Sequence, residues 1–221
     1  MSFPVELNRC EPDLPANPSI SVPLTPPPER YNFAAHLLAL NSARAGKAAY
    51  IDDAGTLSYG ALAERVQRFA AGLAGLSLRR EERVLLLMHD SSDWPVAFLG
   101  CLHAGVVPVC ANTLLTAADH ASLLAHSRAQ AAFVSAALLK TLQAAMEQGP
   151  HELRELVVSP AAEPLPPGCR GFETVLADAP APVAADTAAD DIAFWLYSSG
   201  STGRPKGTVH THANPYWTVE T

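Results

Sequence analysis

Residues 83–112 read "RVLLLMHDSSDWPVAFLGCLHAGVVPVCAN". The run "RVLLLMH" is apolar without alternation, which predicts a strand buried on both faces. "SSDWPVAFLGCLHAG" predicts a helix, with Pro95 in its first turn, where a missing N–H costs nothing. "VVPVCAN" predicts the next buried strand. A helix between two fully apolar strands is the unit of a parallel sheet covered by helices.

The same alternation continues on both sides. Downstream, "TAADHASLLAHSRA" predicts a helix capped by Thr116, "AAFVS" a strand, "AALLKTLQAAMEQ" a helix and "ELVVS" a strand. Upstream, "FAAHLLALNSARAG" has helical spacing and a glycine stop, and "KAAYIDD" and "GTLSY" predict two short strands around an Asp-Ala-Gly turn. "SYGALAERVQRFAAGLAGL" carries Leu62, Val66, Phe69 and Leu73 at i, i+4, i+7 and i+11, so they share one helix face; Ser58 is placed to cap it. The expected fold is α/β, with layered helices around a largely parallel sheet, over residues 31–221. Residues 1–30 are proline-rich and predict an extended leader, packed on the surface or disordered. Residues 159–190, rich in proline, alanine and aspartate, predict a surface connection before the strand "DIAFWLYSS".

Composition narrows the function. The 221 residues are 48% hydrophobic, enough for a substantial core. Net charge is −7 with no basic run, which argues against nucleic-acid binding. The N-terminus has no apolar segment after a basic start, and the longest strongly apolar run is "VLLLM", so neither a secretory signal nor a membrane span is expected. Four cysteines without a CxxC pair predict reduced thiols in a cytoplasmic protein, with Cys101 and Cys110 in the core. Eight histidines show no zinc-ligand spacing. His36, His103, His120, His126 and His151 read as structural or solvated, and His210 and His212 as packing or hydrogen-bonding residues with an approach to the ligand left open. His89, with Asp90, ends a strand at the sheet's carboxyl edge, where structural and cleft-lining roles both stand. Trp195 reads as core. Asp52–Asp53, Glu81–Glu82 and Asp190–Asp191 read as turn and capping charges.

The strand "DIAFWLYSS" runs straight into "YSSGSTGRPKG", residues 197–207. Gly200, Gly203 and Gly207 allow positive φ and close approach of the main chain to a ligand. Successive N–H groups in such a turn form an anion nest. Ser198, Ser199, Ser201 and Thr202 add hydroxyl donors, Lys206 and Arg204 add positive charge, and no carboxylate intrudes. These are partners for phosphate oxygens, placed where open α/β sheets bind ligands. The order differs from the common NTPase loop, whose Gly-Lys is followed by Ser or Thr and a helix. Here Lys206 lies between Pro205 and Gly207, and "GTVHTH" predicts a strand.

"YSSGSTGRPKGTVHTH" resembles the phosphate-binding signature of the AMP-forming acyl-CoA synthetases and adenylation enzymes. "GTLSYGALAERV" and "FLGCLHAGVVPVCANTLL" resemble further stretches of that family, so the likeness covers about residues 31–221. "YNFAAHLLALNSARAGKAAYIDD" and "VHTHANPYW" look most like its benzoate-CoA ligase branch. The resemblance implies an acid-thiol ligase: ATP and an aromatic carboxylate form an acyl-adenylate, and coenzyme A then takes the acyl group as a thioester. It implies ATP binding by Ser198, Ser199, Gly200, Ser201, Thr202, Gly203, Lys206 and Gly207, with Lys206 catalytic. It also implies Mg2+ held by residues not in this chain, small-molecule partners without nucleic acid or membrane, and leaves a homodimer open. The family's acyl pocket, magnesium and ribose ligands and lid lysine lie downstream. "HANPYWTVET" predicts the opening of a helix capped by Asn214 with Pro215 at its first position. The chain is thus expected to be the N-terminal part of such an enzyme, inactive alone. An adenylation enzyme of another branch, with a carrier-protein or fatty-acid substrate, and a non-catalytic nucleotide-binding domain stay open.

Overall fold

A computed structural model describes residues 25–161, 164–176, 183–198 and 206–220. Helix α1 (Phe33–Leu40) is capped by Asn32, whose side chain accepts from the Ala35 N–H. Strands β1 (Ala48–Asp52) and β2 (Gly55–Ser58) form a separate two-stranded hairpin. Asp52 Oδ1 holds its turn by accepting from the Ala54 and Gly55 N–H groups, and Gly55 takes a φ of 134° that side chains rarely adopt. Ser58 caps α2 (Tyr59–Gly75), and Leu62, Val66, Phe69 and Leu73 are all buried along it, as the spacing predicts.

The decisive unit forms as β3 (Arg83–Leu87), α3 (Asp93–Ala104) and β4 (Val107–Cys110), with β3 and β4 parallel. Pro95 is buried in the first turn of α3, and Gly105 ends the helix with φ 71°. Then come α4 (Ala117–Ser127), opened by a capping box between Thr116 and Asp119, β5 (Ala131–Ser135), α5 (Leu139–Gln148) and β6 (Glu155–Ser159). The remaining elements are β7 (Cys169–Gly171), α6 (Phe172–Val175), β8 (Ile192–Ser198), β9 (Lys206–Thr211) and α7 (Ala213–Glu220).

The main sheet has the order β7-β6-β5-β3-β4-β8-β9. Every neighbouring pair is parallel except β8 and β9. Alternate residues of β3 serve opposite layers. Val84 and Leu86 share one core with Phe69 of α2 and Leu102 of α3; Leu85 and Leu87 share the other with Leu124 of α4 and Leu142 of α5. Fully burying one such side chain contributes about 1.5–3 kcal/mol relative to exposure. The crossover after β3 therefore runs over one face and that after β5 over the other. Loops leaving the carboxyl ends of these neighbours part, which opens a crevice between them.

Two expectations need correction. Residues 159–190 are more than a surface connection. Cys169–Gly171 adds a parallel strand to the free edge of β6, and Phe172, Val175 and Leu176 are buried beside α2. The unpaired edge of β6 supplies the template that so short and polar a strand lacks in its own sequence. Further on, Thr187 is buried, donates to the Tyr31 carbonyl and accepts at its own carbonyl from the Tyr31 N–H, which ties this segment to the entry of α1. Asn214 is not the cap of α7 but lies inside it, reaching back to accept from the Thr211 N–H at 2.8 Å. Pro215 still falls in the first turn, where N–H groups have no helical acceptor. The leader expected over residues 1–30 lies outside the described residues as far as residue 24. Its described end is fastened: Arg30 pairs with Asp186, and the Tyr216 hydroxyl donates to the Thr25 carbonyl.

Candidate functional site

The signature stretch is mounted on the β8–β9 hairpin. Trp195 and Leu196 pair with Val109 and Cys110 of β4, so β8 belongs to the buried parallel sheet up to its last turn of pleat. Beyond that point β9 is its antiparallel partner, with Tyr197 opposite Gly207 and Ser198 opposite Lys206. The strand expected over "GTVHTH" is thus present and begins at Lys206. Ser199, Gly200, Ser201, Thr202 and Gly203 lie outside the described residues, as do Arg204 and Pro205. What the structure brings together is the pair of strand ends that carry them. Lys206 and Gly207 are both exposed on β9, so the Lys206 side chain projects from a strand end at the carboxyl edge of β8.

Gly207 was expected to use positive φ, and it does not: among the described residues the glycines with positive φ are Gly55, Gly105 and Gly168. It is an extended strand residue. A Cβ there would sit 3.5 Å from the Tyr197 ring and 3.5 Å from Cε1 of His126, in ordinary contact. Tyr197 is half-buried, and burial pushes its phenol up to about 12, so it stays protonated. Its hydroxyl lies 2.6 Å from Nδ1 of His126, in the last turn of α4. Sequence reasoning placed His126 among the structural or solvated histidines. No local signal could have found its role, because it depends on where α4 crosses the hairpin.

The other histidines divide cleanly. His210 stacks on Phe194 with centroids 4.6 Å apart and planes 3° from parallel, and so packs. His212 is buried, and its Nδ1 accepts from the Phe33 N–H at the start of α1. Burial drives its pKa down to about 4, against a smaller upward pull from Asp191. His103 and His120 are buried and shifted downward by the same cause. Trp195 packs against the second core and lies under the Arg83 guanidinium, 5.9 Å from its ring centroid.

His89 and Asp90 do line a cleft, of about 790 Å³, at the crevice between β3 and β5. Its walls carry Asp52, Asp53, Asp90, Asp93 and Glu173. The Arg65 guanidinium there already bridges Asp93 and Glu173, each at 2.7 Å. Asp52 is held below the usual carboxylate range chiefly by the Ser92 backbone N–H, so it is ionised at neutral pH. Carboxylates so placed repel phosphate.

The profile of the family described as AMP-binding enzyme matches residues 39–221. The chain is 43% identical over 209 residues to the benzoate–CoA ligase of Thauera aromatica, covering 89% of this chain and 38% of that protein. It is 40% identical over 187 residues to the 4-hydroxybenzoate–CoA/benzoate–CoA ligase of Rhodopseudomonas palustris, covering 84% of this chain and 34% of that protein. It thus spans little more than a third of the length of these relatives. Among solved structures, a benzoate CoA ligase from Burkholderia xenovorans is 53% identical with a TM-score of 0.76, over 86% of this chain and 36% of that one. An anthranilate CoA ligase in complex with anthranoyl-AMP is 29% identical with a TM-score of 0.82, over 88% of this chain and 37% of that one. The chain therefore belongs to the family of AMP-binding enzymes.

Proposed function

We propose that this chain is the N-terminal α/β portion of an enzyme that activates benzoate or a substituted benzoate with ATP and passes the acyl group to coenzyme A. The observation that carries the reading is the ordered signature "YSSGSTGRPKG" on the β8–β9 hairpin, at the carboxyl edge of a buried parallel sheet. The likeness to two benzoate–CoA ligases supports the aromatic acid as substrate.

In the first step a carboxylate oxygen forms a bond to the α-phosphorus, the bond from that phosphorus to the bridging oxygen breaks, and pyrophosphate leaves with the electron pair. Negative charge grows on the leaving group. The Lys206 ammonium, with the hydroxyl and N–H donors of Ser198, Ser199, Gly200, Ser201, Thr202, Gly203 and Gly207, is the set that stabilises it. In the second step the sulfur of coenzyme A gives up its proton to solvent and bonds to the acyl carbon, the bond from that carbon to the phosphate oxygen breaks, and AMP departs with the electron pair. Among the described residues no group of three His, Cys, Asp or Glu side chains is placed to hold a metal ion, and Mg2+ would be held by residues not in this chain. No helix among the described residues is long and apolar enough to cross a membrane. ATP and coenzyme A as substrates support a cytoplasmic location for the proposed reaction.

The test is ATP–pyrophosphate exchange in a form of the protein with the full length of its relatives, with benzoate and its hydroxy- and amino-derivatives. Exchange is expected with these acids and not with fatty acids. A charge-assisted hydrogen bond is worth about 1.5–3 kcal/mol, so Lys206→Ala lowers exchange roughly 10 to 100-fold. Unchanged exchange in Lys206→Ala overturns the assignment of the phosphate grip. Nucleotide binding without turnover of any acid would favour a non-catalytic domain.

A further inference from the structure

We propose that His126 is a positioning residue for Lys206, acting through Tyr197 and Gly207. The inference rests on the reading of Lys206 as a phosphate ligand. The hairpin end has a mechanical weakness. β9 is the edge strand of the main sheet, and its Lys206–Val209 segment is exposed. Beyond Cys110, β4 gives β8 no further pairing in the register, so the Tyr197–Gly207 and Ser198–Lys206 rungs rely on each other. A strand end with so few neighbours opens readily, and a lysine on it would sample many directions.

One side chain from outside the hairpin meets Tyr197 on β8 and stands beside Gly207 on β9. The Nδ1 of His126 is 2.6 Å from the Tyr197 hydroxyl, and its ring meets the tyrosine edge-on, with centroids 5.8 Å apart and planes at 81°. Across the rung, a Cβ built on Gly207 would lie 3.5 Å from Cε1 of the same imidazole and 3.5 Å from the Tyr197 ring, so the imidazole stands beside Gly207. The adjoining residue on β9 is Lys206, opposite Ser198. His126 is itself anchored, since α4 is locked at its start by the Thr116–Asp119 capping box and buries Leu123 and Leu124. The protonated phenol donates to Nδ1 in the tautomer that carries its proton on Nε2. The imidazole thus transmits the rigidity of α4 to the rung before the lysine. Preorganised charge stabilises a transition state more than mobile charge does, because no reorganisation is needed as the reaction proceeds.

The experiment is ATP–pyrophosphate exchange in the full-length form, with His126→Ala, His126→Asn, Tyr197→Phe and Lys206→Ala. A neutral hydrogen bond sets the scale: His126→Ala and Tyr197→Phe each lower kcat/KM for ATP about 3 to 10-fold, with KM for the carboxylate unchanged. The double variant falls no further than either single one, because both remove the same contact. His126→Asn, whose side chain reaches the position of Nδ1, recovers to within about twofold of the parent. On the Lys206→Ala background His126→Ala has no further effect. A full additional loss on that background marks a merely structural role and overturns the proposal, as does unchanged exchange in His126→Ala. If Lys206→Ala itself leaves exchange unchanged, the phosphate-grip reading fails first; if Lys206→Ala lowers exchange and His126→Ala does not, only the positioning role fails.

Discussion

Phe69→Ala is expected to lower the unfolding free energy of this chain by about 3–5 kcal/mol. Phe69 is fully buried on α2, where its ring lies 5.0 Å from that of Phe133 on β5 and 5.3 Å from that of Phe172 on α6. α3 crosses so closely that a Cβ on Gly100 would come within 2.5 Å of Cδ1 of Phe69. One side chain therefore joins two helices, the central sheet and the late α6 segment. Truncation removes its transfer free energy and leaves a cavity that α3 cannot fill, because Gly100 has no side chain to extend into it. The aromatic pairs add about 0.5–1.5 kcal/mol each beyond area burial. Against a typical total stability of about 5–15 kcal/mol, the loss is severe. Urea unfolding of the parent and the variant measures it. Phe69→Leu, which refills most of the volume, should recover much of the difference. A loss below about 1 kcal/mol for Phe69→Ala would mean that α2 is not packed at this junction.

The same three rings mark what the residue order discloses and what it withholds. Phe69 is legible from helical spacing, because Leu62, Val66 and Leu73 repeat on its face, and Phe133 from an apolar run. Phe172 is not. It follows a three-residue strand containing an arginine and a glycine, after a stretch of prolines, and nothing local distinguishes that from a loop. Its burial is imposed by the open edge of β6 and the space beside α2, both set by residues far away in the chain. The site behaves likewise. The phosphate grip proposed for residues 197–207 is read from their order, because glycines, hydroxyls and a lysine suit phosphate oxygens. The contact of His126 with Tyr197 spans helix and hairpin across a register that only the packed sheet defines. Asn214 illustrates a smaller limit. An asparagine before a proline has the composition of a cap, but its side chain reaches back from inside α7 to the Thr211 N–H, and the helix starts at Ala213.

Stability should fall as pH drops from about 6.5 toward 4, and His212 should account for a large share of the fall. The residue is buried between the end of β9 and the start of α1, where Nδ1 must be unprotonated to accept from the Phe33 N–H. Its folded pKa is about 4, against roughly 6.5 for an exposed histidine. Between those values the unfolded chain binds a proton that the folded chain refuses. Stability is therefore full above the unfolded pKa, declines as pH falls and levels off below the folded one. The whole shift corresponds to about 3 kcal/mol, of which about 2 kcal/mol is lost between pH 7.5 and 5. His103 and His120 are displaced in the same direction by burial and steepen the slope, so the parent's pH profile alone does not isolate His212. His212→Asn does: its side-chain oxygen can still accept from Phe33 and does not titrate. Urea unfolding of both proteins across this range should show their stability difference narrowing by about 2 kcal/mol on going from pH 7.5 to 5. Parallel profiles would show that His212 takes up its proton without leaving its place. Protonation there breaks the acceptor role that ties the end of β9 to the start of α1, while α7 holds Tyr31, two residues before α1, through the Tyr216 ring. An acid-sensitive joint thus lies at the far end of the strand that begins with Lys206, and acid should loosen the hairpin's anchorage there.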